Sequence, residues 1–120
     1  MREIKFRQPI IVDGKFSRFH YWGFIDGQFR GVAVGNGGLD KAKEESEQYT
    51  GYLDGCNNEI FDGDFFKSSV GVGKVRMMDG CWVVDLGEYR VLLSSYLKND
   101  STRTINGNVH ENKEYGKAHV

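Results

Sequence analysis

Residues 48–66, QYTGYLDGCNNEIFDGDFF, decide how this chain is read. Tyr49, Thr50 and Tyr52 form a short run of the β-branched and aromatic residues that suit a pleated, half-buried surface. Asp54-Gly55 interrupts it, Glu59-Ile60-Phe61 resumes it, Asp62-Gly63 interrupts it again, and Phe65-Phe66 opens another apolar stretch. Asp-Gly pairs supply the positive φ angles of tight hairpin turns, so the segment predicts strands joined by turns.

The same punctuation extends in both directions. Glycine is 16 of the 120 residues, about twice the typical share, and proline occurs once. Seven of the sixteen glycines follow Asp or Asn: Asp13-Gly14, Asp26-Gly27, Asn36-Gly37, Asp79-Gly80 and Asn106-Gly107 continue the series. A mainly β single domain of short antiparallel strands is therefore expected. Residues 2–7 alternate, Ile4 and Phe6 on one face and Glu3, Lys5 and Arg7 on the other. Phe16–Phe24 and Gln28–Val34 flank Asp26-Gly27 as one hairpin; Val72–Met78 and Cys81–Leu86 flank Asp79-Gly80 as another. Trp82, Val84 and Leu86 share a face that the core should take, and Cys81 beside them reads as a small buried hydrophobe. Cys56, in a polar turn, reads as exposed. At Leu39–Gln48 the spacing of Leu39, Ala42, Ser46 and Tyr49, with Asp40 as N-cap, is compatible with one short helix near 39–48 or with a solvated connector.

The formal charge is −1, which argues against protein-wide attraction to nucleic acid or anionic lipid. Its distribution is uneven: +3 over residues 1–38, −6 over 39–64 and +2 over 65–120. The N-terminus MREIKFR lacks an apolar export core and no stretch reaches transmembrane length, so a cytoplasmic protein without membrane attachment is expected. The cysteines lack CxxC or His-rich context, so neither a metal nor another cofactor is expected.

Four blocks, in order, resemble the YopX-like family of small phage and prophage proteins. They are the opening Met1–Arg7; the central Tyr49, Thr50, Gly51, Asp54, Glu59, Ile60, Phe61, Gly63 and Asp64; the hairpin Gly73-Lys74-Val75 through Asp79-Gly80 to Trp82; and the closing INGNVHEN, with Gly107, Asn108, Glu111 and Asn112. The chain departs from the family pattern at Asn57, where Gly is usual in the turn, at Asn106, where an aliphatic residue is, and at Gln8-Pro9. Asn is the next most tolerant residue for a left-handed backbone, so the turn at Asn57 should survive. The resemblance implies one YopX-like domain: N-terminal strands over 1–38, an acidic connector or short helix over 39–50, an SH3-like barrel over 51–112 and a frayed tail over 113–120. It implies a phage or prophage accessory protein acting in a bacterial cell and brings no molecular activity with it.

No catalytic constellation stands out. The cluster Asp54, Glu59, Asp62 and Asp64 does not have calcium-loop spacing, and such residues initiate turns through their side chains; a small enzyme using this acidic loop is the third-ranked reading. His20, His110 and His119 are scattered, Ser94-Ser95 has no companion signal, and Gly35-Asn36-Gly37-Gly38 lacks the Lys-Ser/Thr of a phosphate loop. The aromatic run Phe19-His20-Tyr21-Trp22 offers an interaction surface of Arg18, Tyr21, Trp22 and Arg30, as subunit-interface packing or as base stacking with arginines on phosphate. The leading expectation is a non-enzymatic protein-binding or self-assembling module, its partners a second copy of itself and a phage or host protein; single-stranded nucleic acid is the alternative.

Overall fold

In the computed structural model, which describes residues 4–33, 42, 45–68 and 71–111, the chain is mainly β. Among the described residues it holds ten short strands in two antiparallel sheets, a short helix at Leu93–Asn99 and helical residues at Ala42 and Glu45. It divides into two compact units, residues 1–51 and 52–120.

In the first unit β1 (Lys5–Val12), β2 (Lys15–Ile25) and β3 (Gln28–Arg30) form a meander, and β4 (Glu47–Leu53) pairs with the other side of β1. The Asp-Gly pairs set the turns. Asp13 and Gly14 have φ of 52° and 75°, and Asp26 and Gly27 have 53° and 77°. Two successive left-handed residues are the requirement of a type I′ hairpin, whose twist matches that of the flanking strands. A register shift at Ile10/Ile11 marks a bulge near the first hairpin's tip.

The face expected to be polar is the better buried one. Lys5 and Arg7 are 7% and 5% exposed, whereas Ile4 is 59% exposed. The cations are accommodated by chemistry that alternation does not reveal. Lys5 Nζ lies 5.1 Å from the Tyr49 ring centroid, and the Arg7 guanidinium lies 4.2 Å from that of Phe19 while its Nε donates to Glu47 at 2.9 Å. Aromatic faces and a paired carboxylate let both stems be covered without stranding a charge. Phe6, half-buried, stacks on Trp22 at 4.4 Å.

In the second unit the chain leaves β4, turns through 54–58 into β5 (Glu59–Phe61), and enters a sheet of order β10-β6-β7-β8-β9. Its members are β6 (Asp64–Ser68), β7 (Gly71–Met78), β8 (Cys81–Asp85), β9 (Arg90–Leu92) and β10 (Gly107–Asn108). The Asp79-Gly80 turn is again left-handed at both residues, φ 51° and 80°. Asn57 has φ 64°, the left-handed conformation expected where the family pattern has Gly. β9 and β10 are the sheet's two edges, so the described strands form no closed barrel.

Ile60, Phe66, Val75, Val84, Leu93 and Tyr96 are the buried core of this unit, with Trp82 and Leu86 packed against them as the alternation of β8 predicts. Each such burial is worth ~1.5–3 kcal/mol before chain entropy is subtracted. Cys81 is exposed rather than buried: it is the first residue after the turn and pairs with Met78 at the hairpin's outer end.

One helix lies where the sequence does not predict it. α1 spans Leu93–Asn99 and buries Leu93 and Tyr96, three residues apart on one face. Of the stretch 39–48, where the sequence does predict a short helix, Ala42 and Glu45 are helical, while Glu47 and Gln48 already belong to β4; apart from these and Ser46, the rest of that stretch lies outside the described residues, as do Asn36-Gly37 and the tail from residue 112.

Candidate functional site

The acidic block is structural at two of its four carboxylates. Asp54, 5% exposed, accepts the Cys56 and Asn58 backbone N–H groups on Oδ1 at 2.9 and 2.8 Å. Its Oδ2 accepts from Ile105 N at 2.9 Å and Asn58 Nδ2 at 3.2 Å. Burial pushes the Asp54 carboxyl up, but these donors outweigh it and hold it below the ordinary aspartate value. Asp64, 1% exposed, accepts the Phe61 N–H at 2.8 Å. Both satisfy turn backbone that would otherwise be buried unpaired. Among the described residues no three His, Cys, Asp or Glu side chains are grouped to hold a metal ion.

The other motif residues are likewise built into the frame. Tyr49 supports Lys5, Thr50 and Ile60 are fully buried, and Gly51 and Glu59 are half-buried strand positions. Gly63 turns the chain with φ 91° into β6. Gly107 and Asn108 pair with Phe65 and Asp64, and Asn108 Oδ1 accepts the N–H groups of His110 and Glu111 at 2.9 and 3.0 Å. Glu111 is exposed, and Asn112 lies outside the described residues.

The proposed aromatic–arginine surface is not gathered in one place. Alternation along β2 puts Arg18 and Trp22 on one face and Tyr21 on the other; Arg30, opposite Gly23, shares the face of Tyr21. Trp22 is half-buried, stacked on Phe6, and donates Nε1–H to Ser46 Oγ at 2.8 Å. Tyr21 is 43% exposed and both arginines are exposed.

What the sequence reading missed is a cleft of about 730 Å³ in the second unit. Its floor is Phe66 and Tyr96, in edge-to-face contact at 5.3 Å. Leu86, Tyr89 and Val91 make an apolar wall; Lys67, Arg103, Thr104 and Asn106 make a polar one. That polar wall is the segment 100–106 and the end of β6, pinned at several points. Gly55 N–H donates to Arg103 O at 2.7 Å, Ile105 N–H to Asp54, and Asn106 N–H to Phe65 O at 2.7 Å. Gly55 is required by proximity, because a Cβ there would lie 2.5 Å from the Ser101 carbonyl oxygen. The Asp100 side chain folds the start of the segment by accepting the Thr102 hydroxyl at 2.6 Å and its N–H at 3.0 Å, which lowers the Asp100 carboxyl.

Arg103 is the most constrained side chain of the wall. Its Nε donates to the Tyr96 carbonyl at 3.0 Å, one of the acceptors a helix C-terminus leaves open, and its guanidinium lies 3.7 Å from the Tyr96 ring centroid. Asn106 Oδ1 accepts the Lys67 N–H at 2.7 Å, which fixes the amide so that its NH₂ is the end left over. A Leu-x-x-Tyr-Leu spacing at 93–97 could have revealed α1, but nothing local marks the cleft: its lining is drawn from a stretch that runs from Phe66 to Asn106.

No curated protein and no solved structure matches the chain. A family model described as YopX protein matches residues 31–115, well over half the sequence, and the chain therefore belongs to the YopX family.

Proposed function

We propose that this protein is a non-enzymatic binding module, an accessory protein of a phage or prophage acting in the bacterial cytoplasm, and that the cleft of residues 52–120 is its recognition site. The observation that carries this reading is the cleft's rigid construction. Its polar wall is fixed by backbone hydrogen bonds to Asp54, Gly55 and Phe65, while side-chain donors of the same wall are left over. A preformed concave site with an aromatic floor and a few placed polar groups is the usual form of a ligand site. The four-strand meander β6–β9, followed by a helix and a fifth strand returning to β6, supports reading this unit as an opened SH3-like barrel; small β domains recognise partners through loops and strand edges.

Self-association is the second part of the proposal. Ile4, Phe24 and Phe29 are 59, 55 and 66% exposed in the first unit, an apolar area whose burial between two copies would stabilise a dimer. Nucleic-acid binding through Arg18, Tyr21, Trp22 and Arg30 is not favoured, because those side chains are divided between two faces.

Panning a random peptide display library against the purified chain, followed by amide-shift mapping of retained peptides, tests the reading. Shifts centred on Lys67, Tyr89 and Thr104 are expected. Turnover of a substrate, abolished by changing Asp62 or Asp64 in a chain that stays folded, would replace the module with an enzyme.

A further inference from the structure

The polar wall of the cleft is one-sided in its hydrogen bonding. Among the described residues, Arg103 uses only Nε for a hydrogen bond, so both Nη groups remain as donors. Lys67 makes its hydrogen bond through the backbone N–H, and its ammonium has no hydrogen-bond partner among the described residues. The Asn106 NH₂ is turned away from the Lys67 N–H that its oxygen accepts. These donors line one cleft. The one carboxylate beside them, Asp100, has Oδ1 occupied by Thr102, and its charge is also felt by Arg103, with no hydrogen bond between the two.

Resting on the reading of the cleft as a recognition site, we infer that it receives a carboxylate carried on a short extended peptide, a Glu or Asp side chain of the partner, with Arg103 as the fork. A guanidinium held over an aromatic ring and anchored through Nε keeps its two Nη groups as donors for a planar carboxylate. The stack on Tyr96 and the bond to its carbonyl mean that little side-chain entropy is lost when the ligand arrives. Lys67 adds a second positive charge and Asn106 a neutral donor. Leu86, Tyr89 and Val91 supply the apolar contact that residues flanking the acid would fill. Asp100 on the same rim disfavours a polyanion: each further phosphate would meet its charge, whereas one carboxylate can be held by the cations alone. An acidic peptide therefore fits this site better than a nucleic acid.

The test is fluorescence anisotropy with the intact chain and paired labelled octapeptides, Leu- and Phe-flanked, that carry either Glu or Gln at the centre, with an oligothymidylate as the phosphate probe. The Glu peptides should bind at least about tenfold more tightly than their Gln partners, and Arg103→Lys should remove that preference. Lys67→Gln, which leaves the backbone bond to Asn106 in place, should weaken the Glu peptides by about threefold and the Gln peptides not at all; it decides the matter if Arg103→Lys fails to fold. Equal binding of Glu and Gln peptides overturns the carboxylate inference and leaves the binding module standing. Oligothymidylate binding tighter than any peptide, and lost in Lys67→Gln, overturns it in favour of phosphate. Absence of binding by every probe overturns the inference and the recognition role of this cleft together.

Discussion

Replacing Asp54 by Asn tests whether one carboxylate holds the cleft's polar wall in place. The Asn oxygen can keep the Cys56 and Asn58 N–H groups that Oδ1 now accepts. Its NH₂ then faces two donors, Ile105 N–H and Asn58 Nδ2. The longer Asn58 contact, 3.2 Å, can swing towards solvent; the Ile105 N–H is on the backbone and cannot. A hydrogen bond to a charged acceptor is worth roughly 1.5–3 kcal/mol, and a buried donor left unpaired costs a similar amount, so a net loss of about 3 kcal/mol is expected. Because the folded carboxyl is held low, its contribution is complete above an unfolded aspartate value of about 4 and is lost as pH falls through the folded-state value. The stability gap between the parent and the Asn variant should be constant from pH 7 to about pH 5 and shrink below about pH 4. Urea unfolding followed by Trp82, with Trp22→Phe in both chains to silence the other unit, measures it. A gap under about 1 kcal/mol at pH 7, or one that stays constant down to about pH 2, refutes the reasoning. Asp85 and Asp100 leave the variant a residual acid sensitivity. At Asp85 burial raises the carboxyl but is outweighed by the Gly87 N–H and Arg76; at Asp100 the Thr102 hydroxyl and N–H lower it.

Gly55→Ala drives a methyl group into the Ser101 and Thr102 backbone and should cost about 1–3 kcal/mol in urea unfolding, with peptide affinity falling in parallel. Asn57→Gly should change stability by under about 1 kcal/mol and Asn57→Val should lower it by about 1–2 kcal/mol, since φ is 64°; equal values for the two would refute the left-handed turn. Tyr96→Phe removes a hydroxyl that is buried without a partner among the described residues, so the melting temperature should hold or rise; a loss beyond about 1 kcal/mol would show that the hydroxyl is satisfied. Light scattering at micromolar concentration should give a dimer mass that the double change Phe24→Ser and Phe29→Ser reduces to 13.6 kDa; a parent chain already at that mass refutes self-association. Those two residues are better probes than Trp22, whose stack on Phe6 and bond to Ser46 would make its loss a defect of the first unit itself.

The strands were legible where the cue was local and chemically forced. Asp13-Gly14, Asp26-Gly27 and Asp79-Gly80 each announce a two-residue turn with both φ angles positive, and the strands on either side follow from where the turns fall. Val84 and its neighbours on β8 were legible for a similar reason: alternation next to a fixed turn determines the face. Alternation failed on β1 because Lys5 and Arg7 are long enough to be covered by aromatic rings and a carboxylate that lie some 12 to 44 positions away. Cys81 failed because its apolar neighbours say nothing about how close it stands to the end of a hairpin. α1 was hidden by brevity: seven residues carry only two helical spacings, and Ser94-Ser95 between them reads as turn chemistry.

The cleft was illegible for a deeper reason, which also bears on how its specificity arises. Each residue that fixes the polar wall does so across a long stretch of chain: Asp54 to Ile105, Gly55 to Arg103, Lys67 to Asn106. Seen singly, Asp54-Gly55 is a turn, Asn106-Gly107 is another turn and Arg103 is one cation in a polar run. Only the fold turns the Asp54 carboxylate into an anchor for Ile105 and the Asn106 amide into a cap for an open strand end. The consequence is a division of labour within one motif. Two of the four acidic residues that invite a catalytic reading, Asp54 and Asp64, hold backbone with their oxygens, and Arg103 and Lys67, which attract no notice in the sequence, have side-chain donors left over among the described residues, as the proposed ligand requires. Changes at Asp54 or Gly55 should therefore act on stability and affinity together. Changes at the Lys67 side chain should act on affinity alone, and it is that separation which distinguishes a binding site from a structural crevice.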